Sequence, residues 1–194
     1  MNTKPFIEKL KGDRRNNVKD FFNIIETCEI KNYSDILKAA YVVYESGIAF
    51  QPGVQPYKNW KYDKLCEDIS NYIYEYFISK DIDFDCFHNC LCKKFISLSG
   101  NKYNYGNAQK FINMLFKYLA CFKDVEEYED KFENCHIPLD SHILKVLSTK
   151  DGIDICKNKS WVKLNESDYL EIVAEYRKTL KIKNGLEYDF DFWN

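Results

Sequence analysis

Lys110 and Asp140 are the two side chains of this sequence whose type and placement could do chemistry. Lys110 closes the run Tyr105-Gly106-Asn107-Ala108-Gln109-Lys110, which reads as a tight turn opening a helix, with the lysine in the helix's first turn. Farther on, Pro138-Leu139-Asp140-Ser141-His142-Ile143 reads as a proline-led helix start with a carboxylate at its mouth. A helix N-terminus disfavours an ammonium, and partial burial acts the same way, so a neutral amine is expected at Lys110. Such an amine can attack an aldehyde-like sugar carbon and form a Schiff base. Asp140 would stay ionised at its own helix start. It could then stabilise positive charge on a sugar as a leaving group departs, or take the proton of the incoming amine. Each signal alone has an ordinary explanation, a helix cap for Pro-Leu-Asp-Ser and a solvated charge for the lysine.

The elements that must position this pair are helical. Phe21, Ile24, Ile25 and Cys28 share one face of a first helix, with Asn17 and Asp20 placed as cap and third-position partner. Ser34 is placed to cap a second helix, apolar nearly all round from Ile36 to Val43. Gln51 to Pro56 is the strongest breaker and predicts a loop. Leu65, Ile69, Tyr72, Ile73, Tyr76 and Phe77 trace an amphipathic helix. Cys86 to Leu98 predicts a shorter helix, Ser99 to Asn104 a polar loop, and Lys110 to Phe122 a central helix apolar on most faces. The acidic stretch Phe122 to Asn134 reads as an exposed insertion. Asn165 caps a last helix from Glu166 to Leu180, buried through Tyr169, Ile172, Val173, Tyr176 and Leu180. The aromatic tail Tyr188 to Trp193 should dock on the body, since left exposed it would be an association hazard. No strand ladder or repeat is present. The expectation is an all-α, compact multi-helix protein over residues 1–194, as one domain or two small helical lobes.

Composition narrows the class further. The 194 residues are 45% hydrophobic and 16% aromatic, with seven glycines and four prolines, which excludes bulk disorder and suits long helices with short loops. A net charge of −2 gives no global nucleic-acid footprint, so any phosphate contact must be local. No apolar run reaches a membrane span and no signal-peptide core follows Met1, so a cytoplasmic protein without a membrane partner is expected. The eight cysteines are then free thiols, with Cys28, Cys66 and Cys121 on apolar faces.

Gly106-Asn107-Ala108-Gln109-Lys110 resembles the hairpin of the helix-hairpin-helix DNA glycosylases, Gly-x-Gly-x-Lys in the bifunctional members. Pro138-Leu139-Asp140-Ser141-His142-Ile143-Leu144-Lys145-Val146-Leu147 is similar to their Pro-Val-Asp-Thr-His-Val-x-Arg-Val-Leu segment, and is the closer match. The resemblance covers Leu98 to Leu147. It implies a DNA partner and excision of a damaged or modified base, with Lys110 as Schiff-base lysine and Asp140 as catalytic aspartate. It also implies that Gly106, Asn107 and Ala108 hold the DNA backbone. Tyr103, Tyr105 and Trp60 are candidates to stack on an extruded base. The chain departs from the pattern at Tyr105, where a proline is usual, at Ala108 in place of the second hairpin glycine, and at Ile112 in place of a small residue. The four-cysteine iron–sulfur loop of some relatives is absent, and no cofactor is expected. A non-catalytic nucleic-acid- or protein-binding module on the same helical fold is the alternative.

Other clusters carry less. Cys86, His88, Cys90 and Cys92 offer zinc-binding atoms, but no partner pair follows, so core thiols with one exposed histidine are expected and no metal is assigned. His136, Asp140 and His142 straddle a helix start and need not face one another. Lys9, Lys11, Arg14 and Arg15, and Lys178, Lys181 and Lys183, would form a phosphate clamp only if both groups fold to the hairpin side.

Overall fold

The computed structural model describes residues 2–11, 22, 24–25, 27–47, 49–50 and 60–192. The proposed cap at Asn17 and Asp20, Phe21, the Gln51 to Pro56 breaker and Trp193 lie outside them. The described residues are helical, with no strand among them: α1 (Lys4–Lys11), α2 (Tyr33–Glu45), α3 (Trp60–Ile78), α4 (Phe84–Leu98), α5 (Tyr105–Leu119), α6 (Glu129–Phe132), α7 (Ser141–Thr149), α8 (Glu166–Leu180) and α9 (Gly185–Asp191). No helix among them is long and apolar enough to cross a membrane.

Helix α5 is the axis of the fold. Every residue from Tyr105 to Leu119 is buried, with Phe, Ile, Met, Leu and Tyr covering all of its circumference but one polar stripe. Helices α2, α3, α4 and α5 pack in a ring, α2 on α3, α3 on α4, α4 on α5 and α5 back on α2. Their apolar faces join one core in which Phe84, Phe95, Phe111 and Phe116 are completely enclosed. Helix α8 adds Tyr169, Ile172, Val173 and Tyr176 to it.

Several boundaries differ from expectation. Helix α2 starts at Tyr33, with Asn32 rather than Ser34 at the cap position and no side-chain cap bond. Helix α5 starts at Tyr105, because Asn104 and Asn107 form a reciprocal capping box that fixes the start a full turn before Lys110. The acidic stretch is not wholly exposed: Phe122, Asp124 and Phe132 are buried, and the Asp124 carboxylate accepts from the backbone N–H groups of Ile30 and Lys31. Asn165 does cap α8, accepting from the Asp168 N–H.

The C-terminal helix docks as the tail's composition required. Phe190 is enclosed against Phe6 of α1, and Lys117 of α5 forms a buried ion pair with Asp189. Burial pushes the Lys117 ammonium down from its ordinary pKa, and the Asp189 carboxylate only partly restores it. Gly185 lets α9 approach the 135–137 segment: a Cβ there would sit 2.4 Å from the Ile137 nitrogen, and the Gly185 N–H donates to the Cys135 carbonyl.

Candidate active site

Lys110 and Asp140 meet. The Lys110 Nζ lies 2.7 Å from Asp140 Oδ2 and 3.2 Å from the Pro138 carbonyl oxygen. The lysine side chain is 5% exposed and the aspartate side chain 33%, so the pair can be reached from the aspartate side only. Asp140 is the N-cap of α7, and its second oxygen, Oδ1, accepts from the backbone N–H groups of His142 and Ile143. The two oxygens therefore divide their work, one holding the helix start and one facing the amine. Burial alone would raise the Asp140 carboxyl; the Lys110 charge and hydrogen bond, with the two backbone donors, outweigh it and hold the group below its ordinary range.

What brings the pair together is a polar stripe on the otherwise apolar α5. Gln109, Asn113 and Lys117 recur every fourth residue along one face, and Lys110 flanks them. Gln109 is completely buried and uses its whole amide. Its Nε2 donates to the Leu139 and Gly106 carbonyls, and its Oε1 accepts from the Leu139 N–H and from Asn113 Nδ2. Asn113 also donates to the Ile137 carbonyl. The extended segment before Asp140 is thus tied to α5 by two amide side chains one turn apart, and Asp140 is set down beside Lys110.

The helix mouth expected to seat a phosphate is occupied from within. The Gly106 N–H donates to the Leu164 carbonyl, the Asn107 N–H to Asn104 Oδ1, and the Ala108 N–H to the Asn104 carbonyl. All three residues are buried. Gly106 serves close packing: a Cβ there would lie 2.0 Å from the Trp161 carbonyl oxygen, in the 3-10 turn Trp161–Lys163 that covers this end of α5. Lys110 is in the second turn, beyond the reach of the helix-end charge invoked for it, and its partner is a carboxylate instead.

The candidate stacking residues are also committed. Tyr103 is buried, stacks on Phe50 with ring centroids 4.5 Å apart and shares a hydrogen bond with Tyr44. Tyr105 is buried and donates to Asn89 Oδ1. Trp60 begins α3, and its side chain lies outside the described residues. Lys178 and Lys183 pair with Glu175 and Glu133; the side chains of Lys9, Lys11, Arg14 and Arg15 lie outside the described residues.

The Cys86 to Cys92 run divides between two faces of α4. His88 and Cys92 are enclosed in the core, while Cys86 and Cys90 are exposed, so the expected exposed histidine is in fact a buried one. A helix turns about 200° in two residues, which is why alternate members of the run part company. His142 meets Phe192 at the end of α9, whereas His136 is buried against Asp85 and Tyr169.

His136 belongs to a second polar cluster that the residue spacing did not announce. Its Nε2 lies 2.8 Å from Asp85 Oδ1 and its Nδ1 2.8 Å from the Tyr169 hydroxyl. Asn113 Nδ2 donates to the same hydroxyl, and His88 Nε2 lies 3.5 Å from it. An ionised carboxylate only accepts, so His136 carries its proton on Nε2 and takes the Tyr169 proton on Nδ1. Burial lowers both histidines from their ordinary pKa, with Asp85 opposing the shift at His136 and with His136 adding to it at His88. Asp85 would be raised by burial, but hydrogen bonds from His136 and a two-pronged Arg177 hold it well below the carboxylate range. The cluster is enclosed apart from Asp85 and Arg177, and it fastens α4, α5 and α8 to the 135–137 segment.

No family model, no curated protein and no solved structure matches the chain.

Proposed function

We propose that the protein acts on DNA as a base-excision enzyme of the helix-hairpin-helix glycosylase type, with Lys110 and Asp140 as its reacting pair. The observation that carries this reading is the 2.7 Å contact between two groups far apart in the chain, each picked out by its own motif. In the resting state the pair is ionic. Opening of the pair toward the exposed edge of Asp140 lets the ammonium give a proton to water, which leaves Asp140 ionised. The amine then adds to the sugar C1′ carbon of an abasic aldehyde, and loss of water from the resulting carbinolamine leaves the imine. Asp140, kept ionised by its backbone donors, is the better suited to steadying positive charge at the sugar.

A second reading has its own support. The closed mouth of α5, with all three amides bonded internally, favours a non-catalytic module in which Lys110 and Asp140 bolt α7 to α5.

Borohydride trapping on a duplex containing an abasic site separates the two. A covalent adduct in the wild-type protein, lost in Lys110→Ala, is the expected result. Salt-sensitive DNA binding without an adduct would favour the module, and neither adduct nor binding would remove DNA from the reading.

A further inference from the structure

We infer that Cys86 and Cys90 form a dithiol site for a soft, low-coordinate thiophilic ion, with room beside it for one apolar substituent on that ion. Six of the eight cysteines are buried; these two are the exposed ones. They are one helical turn apart on α4, so their side chains leave the same face. The Cys86 thiol is held above its ordinary pKa first by its hydrogen bond to the Asp83 carboxylate, and the nearby Cys90 sulfur adds a smaller push in the same direction.

Distances select the ligand. Residues four apart on a helix have Cβ atoms about 5–6 Å apart, whereas a disulfide requires about 3.5–4.5 Å. A disulfide would therefore have to deform α4. A bridging ion needs the sulfurs at most about twice a ~2.3 Å metal–thiolate bond apart, which ordinary rotamers can reach. Donor number selects further. Among the described residues no group of three or more histidines, cysteines or carboxylates is placed to hold a metal, so zinc, which wants three or four protein donors, is poorly served. Two thiolates suit an ion content with two or three soft ligands. The Asp83 and Asp85 carboxylates at the start of α4 add negative charge nearby; both have duties of their own, Asp83 at the helix cap and Asp85 with His136 and Arg177.

Beside Cys90 is an apolar hollow of about 190 Å³ between α3 and α4, walled by Tyr72, Phe87 and Leu91, with Lys94 at its edge. A ring or short alkyl group on the bound ion would sit there.

Phenylarsine oxide is the direct probe. Two S–H bonds and the As–O bond break, two As–S bonds form, and both protons leave with the oxygen as water. Arsenic stays trivalent throughout. The expected result is uptake of one phenylarsenic group per chain, seen by intact mass, with loss of the two fast-reacting thiols. A small dithiol should reverse it and excess monothiol should not. Cys86→Ser and Cys90→Ser should each weaken uptake by about a hundredfold or more, the gain that a second linked ligand supplies. Both positions are exposed, and an unchanged far-UV spectrum checks each variant's fold. No uptake by the wild-type protein, or uptake unchanged in either variant, would overturn the inference.

Discussion

Removing Asp140 should cost far more stability than removing Lys110, although the two share one ion pair. Asp140→Ala leaves the Lys110 ammonium, 5% exposed, without its carboxylate. Breaking a buried pair from that side costs about 3–5 kcal/mol, and losing the α7 cap adds about 1 kcal/mol. Lys110→Met leaves Asp140 a third exposed and still holding two backbone N–H groups, so the stranded charge stays solvated. Water screens that side, and the loss should be only about 1–2 kcal/mol. In the double variant the stranded ammonium is gone, so its loss should fall well short of the sum of the two singles. The coupling, about 2–3 kcal/mol, lies within the range seen for groups in direct contact. Equilibrium urea unfolding at pH 7 of the wild-type protein and the three variants measures all of this. Asp140→Asn adds a control, since its amide oxygen can keep the cap while its charge is gone. A Lys110→Met loss equal to or larger than that of Asp140→Ala, or losses that simply add, would refute the account of the pair.

Three other outcomes follow from the same geometry. Gly106→Ala should destabilise the protein by about 3 kcal/mol in urea unfolding with no DNA present, because its Cβ meets the Trp161 carbonyl; a neutral effect would mean that the covering turn moves freely. Gln109→Leu strands the Leu139 N–H and carbonyl, two buried groups at about 1–3 kcal/mol each, so a loss of about 2–6 kcal/mol is expected. Thermal melts would show it, and a change under 1 kcal/mol would remove Gln109 as the clamp. Stability should also fall below about pH 6.5. The folded pKa values of His88 and His136 lie under the unfolded value, so the unfolded chain takes up protons first as pH drops. The slope is about 1.4 kcal/mol per pH unit for each histidine until its folded pKa is passed. Asp85 and Asp140, also lowered, add a loss that starts only near pH 4. Urea unfolding flat from pH 7.5 to 5 would contradict the neutral, buried histidines.

Helices α2, α3, α4, α5, α7 and α8 were legible because hydrophobic period is a local signal, read from residues three and four apart, whereas α1, α6 and α9 were not read as helices. Asn165 before Glu166 announced its cap in the same local way. The start of α5 was not legible: Asn104 and Asn107 compete with Gly106 as the boundary marker, and only their mutual hydrogen bonds show which wins. Tyr103 and Tyr105 looked available because they flank a polar loop, yet both side chains point back at α2 and α4. The pair Lys110 and Asp140 was found through its motifs, but the residues that place it were missed. Gln109 and Asn113 did leave a trace, as polar residues one turn apart in a stripe that Lys117 continues on an otherwise apolar helix. A stripe of that kind in a fully buried helix needs partners, since an unpaired amide costs more than a whole hydrogen bond yields, and among the described residues only Asn113 Oδ1 of its two amides is left without one. His136 and Tyr169 left none, because His136 follows a cysteine in a loop and Tyr169 reads as one more core aromatic.

The polar stripe also bears on the proposed chemistry of the pair, because it holds the 137–139 segment by itself. Gln109 and Asn113 hold the 137–139 backbone without help from Lys110, and Asp140 Oδ1 holds the start of α7 without help from Oδ2. Separating Lys110 from Oδ2 therefore breaks one ion pair and one bond to the Pro138 carbonyl while every other tie in the segment stays made. A lysine serving only as a bolt would be expected to share its task with the residues around it. Here the neighbouring ties are complete by themselves, and the amine is the replaceable member of the set. While the amine stays protonated, freeing it leaves a buried ammonium without its carboxylate, so the cost lies nearer the Asp140→Ala loss, less the α7 cap, than the Lys110→Met loss. On the proposed base-excision reading, binding of the duplex has to supply that much.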